Sequence, residues 1–242
     1  MSDDNRPLRR VMQNLIGTDD ILTSREETKF SRLVPSLMRK GINNLNLSMF
    51  SPELKYNILT ALGEEYRRKG NLNDAAKAFM MIGNKKELNV VGEDYEKLLQ
   101  YDNAIEIYKL SDNKNKLLEI GHRCLYEGKL KQAAKAFIIV EDKDGLMRTG
   151  DQCIIQCRFD NALEVFETLK DRNKFLELGN KCLDQKEYSY AIRSFHLAGD
   201  KEMINLIGDM LLKEENVAKA LEAYTLAENH IMVDFLNENF KI

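Results

Sequence analysis

The chain has 242 residues, 43% hydrophobic and 31% charged, so it can bury a core and is not disordered by composition. Its 36 Lys and Arg against 39 Asp and Glu leave a net charge of −3, which excludes a broadly electrostatic nucleic-acid binder as the first reading. Four cysteines are too few for a disulfide scaffold and read as reduced, small apolar side chains.

Residues 1–7 are polar and lack the basic stretch followed by an apolar run that marks a secretory signal. No window approaches the ~18 apolar residues of a membrane helix. A soluble, cytoplasmic protein without membrane insertion is expected. Leu8, Val11, Met12, Leu15 and Ile16 fall on one helical face, so residues 7–16 read as a short amphipathic helix with Arg9 and Arg10 exposed. Ser24 and Glu27 form a capping box ahead of a second stripe, Phe30, Leu33, Val34, Leu37 and Met38. Pro35 should kink or split that helix, and Gly41 should stop it. Residues 43–50 read as a linker, and Ser51-Pro52 opens the next helix with proline at its first position. The division expected is an N-terminal helical segment, 1–50, acting as a cap, and a repeat body, 51–242.

From here the chain is periodic. Gly63, Gly92, Gly121, Gly150, Gly179 and Gly208 are 29 residues apart with no insertion. Twelve positions after each glycine stands Ala75, Ala104, Ala133, Ala162, Ala191 or Ala220. Sixteen after it stands an aromatic: Phe79, Tyr108, Phe137, Phe166, Phe195, Tyr224. Three after it stand Tyr66, Tyr95, Cys124, Cys153, Cys182 and Leu211, and twenty-one after it Asn84, Asn113, Asp142, Asp171, Asp200 and Asn229. Leu117, Ile120, Gly121, Cys124 and Leu125 share one helix face, and Ala133, Ala134, Phe137 and Val140 share a second. Glu127-Gly128-Lys129 turns between them. Each unit is therefore an antiparallel pair, helix A then helix B. A mid-helix glycine costs about 1 kcal/mol against alanine, so the glycine is expected to admit close approach of helix B. The aromatic is expected to fill the gap between successive hairpins, and the Asn or Asp to cap the next helix A. The last helix looks like an A helix of a seventh unit, with polar Asn237 and Glu238 facing water.

Ala61-Leu62-Gly63 with Tyr66, Ala75 and Phe79, and Leu178-Gly179 with Ala191 and Phe195, resemble the tetratricopeptide repeat. The resemblance covers roughly residues 52–242. It implies an all-α, right-handed α-solenoid of about six hairpins whose A helices line a concave groove. The chain departs from that family in its 29-residue step against 34, in lacking the tryptophan before the glycine, and in lacking the closing proline.

No phosphate loop, metalloprotease or nucleophile-elbow motif is present. The column Cys124, Cys153, Cys182 reads as small apolar residues, one per hairpin, because neighbouring helices stand ~8–10 Å apart, beyond the ~2.3 Å reach of a shared zinc. Cys153 and Cys157 are i, i+4 on one helix. The row Lys77, Glu106, Lys135, Glu164, Arg193, Glu222 reads as a surface ladder of alternating sign setting hairpin register. Lys85, Lys114, Lys143, Arg172 and Lys201 read as solvated turn residues rather than a phosphate track.

The groove phases implied by the resemblance are polar in the first two hairpins (Thr60, Glu64, Arg67, Arg68, then Asn89, Glu93, Glu96, Lys97). They turn apolar in the next three. Leu118, Leu125, Tyr126, Met147, Ile154, Ile155, Leu176 and Leu183 form the candidate groove for an amphipathic helix or extended apolar segment of a partner, unless the solenoid or the chain's own N-terminal helix fills it. The expected function is a non-enzymatic protein-interaction scaffold, with no cofactor and no metal. The alternative is an RNA-binding helical repeat, and self-association stays open.

Overall fold

The computed structural model describes residues 33–240. The expected helix over 7–16 and the capping box at 24–27 lie outside the described residues. Among the described residues there are fourteen α-helices, one 3-10 turn and no strand. They fall into two compact units divided after Asn113.

The first unit holds α1 (Val34–Lys40), the 3-10 turn Ile42–Asn44, α2 (Pro52–Arg68), α3 (Leu72–Met81), α4 (Lys85–Lys97) and α5 (Tyr101–Ser111). The second holds α6 (Lys114–Tyr126), α7 (Leu130–Val140), α8 (Lys143–Ile155), α9 (Phe159–Leu169), α10 (Arg172–Asp184), α11 (Tyr188–Ala198), α12 (Lys201–Lys213), α13 (Val217–Leu226) and α14 (His230–Phe240). Even-numbered helices from α2 to α12 are the A helices, and each packs on the B helix that follows it. B helices α3, α7, α9, α11 and α13 pack in turn on the next A helix. The chain is a helical repeat protein of the all-α solenoid class.

Ser51 starts α2, its side chain accepting from the Leu54 N–H at 3.3 Å, with Pro52 at the first position. Proline also sits in the first turn of α1, which the described chain enters at Val34; the upstream part of the helix that Pro35 was expected to kink or split lies outside the described residues. Gly41, at φ 80°, ends α1. The second apolar stripe holds for its described members: Leu33, Val34 and Leu37 are buried, and α1 packs on α2.

Every A–B and B–A turn passes through one left-handed residue at a fixed phase. These are 70, 99, 128, 157, 186 and 215 in the A–B turns, and 83, 112, 141, 170, 199 and 228 in the B–A turns. In eleven of the twelve, the next residue's N–H bonds back five positions, at 2.8–3.0 Å, a Schellman closure that satisfies carbonyls orphaned at the helix end. The twelfth closes by the Lys170 N–H to Phe166 O at 2.7 Å. Only four of these positions are glycine. Leu99, Asp112, Glu141, Cys157, Lys170, Lys186, Glu215 and Glu228 take φ between 53° and 60°, each against a penalty of roughly 1–2 kcal/mol for an L residue.

The Asn/Asp position after a B helix can serve both neighbours. The backbone N–H of Asn84, Asp200 and Asn229 closes helix B, and the side chain caps the next helix A by accepting from Glu87, Met203 and Met232 N respectively; Asp171 caps by accepting from Asn173 and Lys174 N. Asp142 makes no such side-chain bond. The amide nitrogens of Asn113 and Asn229 also donate to Asn89 and Asn205 within their hairpins, at 3.1 and 2.8 Å.

The repeated glycine has one physical role. A Cβ added at Gly63, Gly121, Gly179 or Gly208 would come within 2.6–2.8 Å of the ring sixteen positions on, and at Gly92 and Gly150 closer still. Each ring therefore lies flat against the backbone of its own hairpin's helix A. This corrects the expectation that the aromatic fills only the gap between hairpins. Phe137 does both, because a Cβ at Gly145 of the following helix A would also meet it, at 2.6 Å. All six rings are fully buried, worth ~1.5–3 kcal/mol each.

Two expected outcomes test this frame. Gly150→Ala should lower the urea-unfolding free energy by about 1–3 kcal/mol through overpacking, although helix propensity alone predicts a gain of about 1 kcal/mol. Lys186→Gly should raise it by about 0.5–1 kcal/mol, because relief at φ 59° exceeds the entropy glycine adds to the unfolded chain.

Candidate functional site

All eight candidate residues lie on α6, α8 and α10 of the second unit, and α6 and α8 touch one another. Tyr126, the last residue of α6, is 94% exposed, and Ile155, at the same phase on α8, is 67% exposed. Leu118, Leu125, Met147, Leu176 and Leu183 are half-buried. Ile154 is buried and belongs to the core more than to any surface.

The ring beneath each helix A governs what that helix can carry. Where the ring is tyrosine, its hydroxyl emerges on the groove phases and takes a carboxylate. Tyr108 donates to Glu96, and Tyr224 donates to Asp209 at 2.6 Å. Burial first, then the Asp209 bond, push the Tyr224 phenol well above its ordinary value. Hairpins 3 to 5 carry Phe137, Phe166 and Phe195 instead. With no hydroxyl to satisfy, the phase occupied by Glu96 in hairpin 2 is free to be Leu125, Ile154 and Leu183. His122 packs edge-on to Phe137, with ring centroids 5.0 Å apart.

The two arginines on the groove phases of hairpin 1 pair with carboxylates that lie off those phases. Arg67 lies 3.6 Å from Glu87 and 3.7 Å from Asp94, and Arg68 makes a paired contact with Glu65 at 2.8 Å. In the second unit Asp151, between the apolar phases of α8, takes Lys174 of α10 at 2.7 Å, and Lys174 also reaches Glu177 at 2.7 Å.

Two members of the alternating charge row pair off the row. Lys77 meets Asp74 at 3.2 Å, and Arg193 reaches Glu167 at 2.6 Å rather than its row neighbour Glu164. Turn residues expected to be merely solvated also find partners. Lys85 approaches Asp112 at 3.8 Å, Lys201 pairs with Glu228, and Arg172 donates to Ala198 O at 2.9 Å.

None of the four cysteines is in a disulfide. Cys124, Cys153 and Cys182 are fully buried, and burial pushes the Cys153 thiol up to about 11 and that of Cys182 to about 12. Such thiols stay protonated at neutral pH and are poor nucleophiles. Cys157 is not on the helix of Cys153, as the i, i+4 spacing implied. α8 ends at Ile155, and Cys157 is the exposed left-handed residue of the turn. Among the described residues no group of three His, Cys, Asp or Glu side chains could hold a metal ion, and no helix is long and apolar enough to cross a membrane.

Other exposed apolar positions escaped the sequence reading. Met81, Leu110, Leu197 and Leu226 are exposed at one phase, eighteen after the glycine. The same 29-residue arithmetic would have found them. On α14, Asn237 and Glu238 face water as expected, but so do Ile231, Phe235 and Phe240.

No protein-family model matches the chain, and no curated protein does. Eleven chains of solved structures match. One is a "circular tandem repeat protein with novel repeat topology and enhanced subunit contact surfaces", 15% identical, with a TM-score of 0.14. The alignment takes in 97% of this chain and 52% of that one, so this chain spans about half its length. At that score the likeness carries no argument, and the fold rests on the helix order and packing above.

The buried thiols give a pH signature. In the unfolded chain they ionise near the ordinary 9.0, whereas folded Cys153 and Cys182 hold their protons to about 11 and about 12. Stability from this source is full below pH 9 and is lost as pH rises through those values. A Cys153→Ala/Cys182→Ala variant should be less stable at pH 7, yet show a shallower loss of unfolding free energy between pH 9 and pH 11 in urea titrations.

Proposed function

We propose that the chain is a tetratricopeptide-like, non-enzymatic scaffold, with residues 1–50 as its N-terminal cap and 51–242 as its repeat body. It binds an apolar segment of a protein partner on the groove phases of hairpins 3 to 5 and acts in the cytoplasm. The observation that carries this reading is the exposed pair Tyr126 and Ile155, at one phase on adjacent α6 and α8. A tyrosine 94% exposed contributes nothing to the core, and large exposed aromatics beside half-buried aliphatics are the composition of binding hot spots.

Leu118, Leu125, Met147, Leu176 and Leu183 supply the half-buried floor, with Ile154 beneath it. The Asp151–Lys174–Glu177 contact pairs the charge between the apolar phases of α8, so an incoming apolar segment need not bury Asp151 as an unpaired ion. An amphipathic helix or an extended apolar stretch satisfies this chemistry.

The test is selection of a random-peptide library against the immobilised full chain. Recovered peptides should be rich in apolar residues and should lose about tenfold or more in affinity, or ~1.4 kcal/mol, for the Tyr126→Glu/Ile155→Glu variant, with circular dichroism and urea midpoint unchanged. Peptides that bind the variant as tightly as the parent would place the interaction elsewhere.

A further inference from the structure

A cleft of about 410 Å³ opens in the first unit, walled by Leu45, Leu47, Tyr56, Leu59, Met81 and Ile82. It lies where the stretch between α1 and α2 crosses the start of α2 and the end of α3. Its floor is buried Leu47 and Leu59, while Tyr56 is 45% and Met81 56% exposed at its mouth. The Tyr56 ring is held there by the Asn84 amide, which donates to its hydroxyl at 3.1 Å. Met49, just beyond the cleft-lining residues Leu47 and Ser48, is 75% exposed. An apolar recess with a methionine-rich rim suits the irregular aliphatic face of a helix.

We infer that the occupant is the chain's own N-terminal stripe, Leu8, Val11, Met12, Leu15 and Ile16, docked in cis. Three observations carry this. The second stripe of the same N-terminal segment already follows the pattern: Leu33, Val34 and Leu37 are buried, and α1 packs on α2, the helix that walls the cleft. The first stripe thus extends an existing interface. The tether is short, since only residues 17–32 separate Ile16 from Leu33. Sixteen residues reach at most about 53–58 Å when fully extended, which keeps the stripe at high effective concentration over the first hairpin. The apolar character also matches, because the stripe is apolar and the lining is apolar but for Ser48, Lys55 and the Tyr56 hydroxyl. The docked segment extends the cover of the first hairpin, and this inference stands apart from the reading of hairpins 3 to 5.

Hydrogen exchange of the full chain tests it. Amides 8–16 should exchange at least about tenfold more slowly than free peptide. Protection should vanish in Met81→Glu, which charges the mouth of the cleft, and in Met12→Glu, which alters only the segment. Amides of α4 and α5 should be unchanged in both, and dilution should have no effect on protection. Unprotected amides 8–16 in the parent chain would overturn the proposal, as would protection that survives either variant. Protection that falls on dilution would also overturn it, by identifying a second copy's segment as the occupant.

Discussion

Each hairpin closes only because one aromatic ring is allowed to lie on bare backbone. Helix packing distance is set by the side chains at the contact, and at six positions helix A offers none. The helix loses about 1 kcal/mol of propensity at each glycine, which the burial of a full ring more than offsets. Glycine and ring are joined through the A–B turn, so one inserted residue would swing the ring by about 100° around helix B. An unbroken glycine-to-ring separation of sixteen residues follows from that. Helix α14 serves as a natural control: Asn237 stands at the glycine's phase, is exposed, and no described helix follows it.

The turns bear the same constraint. A left-handed residue at each turn is the shortest way to reverse direction while satisfying the carbonyls of the helix it ends. Eight non-glycine residues accept that conformation, so the local penalty is outweighed by the packing it permits on either side. At Asn84, Asp200 and Asn229 the residue after the B–A turn is shared between helices, closing one and capping the next.

Ring identity then links the frame to the surface. A buried tyrosine needs an acceptor, and Glu96 and Asp209 supply one on the groove phases of hairpins 2 and 6. Phenylalanine makes no such demand. The apolar surface of hairpins 3 to 5 is compatible with the core beneath it for that reason.

Helix pairing, the Asn/Asp caps and the buried cysteine column were legible in the chain's periodicity. They depend on contacts between residues at constant separation across short turns, and a constant separation is visible in one dimension. The start of α2 at Ser51-Pro52 was legible for the same local reason, as a cap and a proline. Other features required three dimensions. The seating of the ring within its own hairpin, the turn position of Cys157, the ion pairing of Arg193 with Glu167, and the contrast between exposed Ile155 and buried Ile154 all follow from how helices rotate against one another. Adjacent residues differ by about 100° around a helix, so a small rotation set by packing decides which of two neighbouring isoleucines meets water.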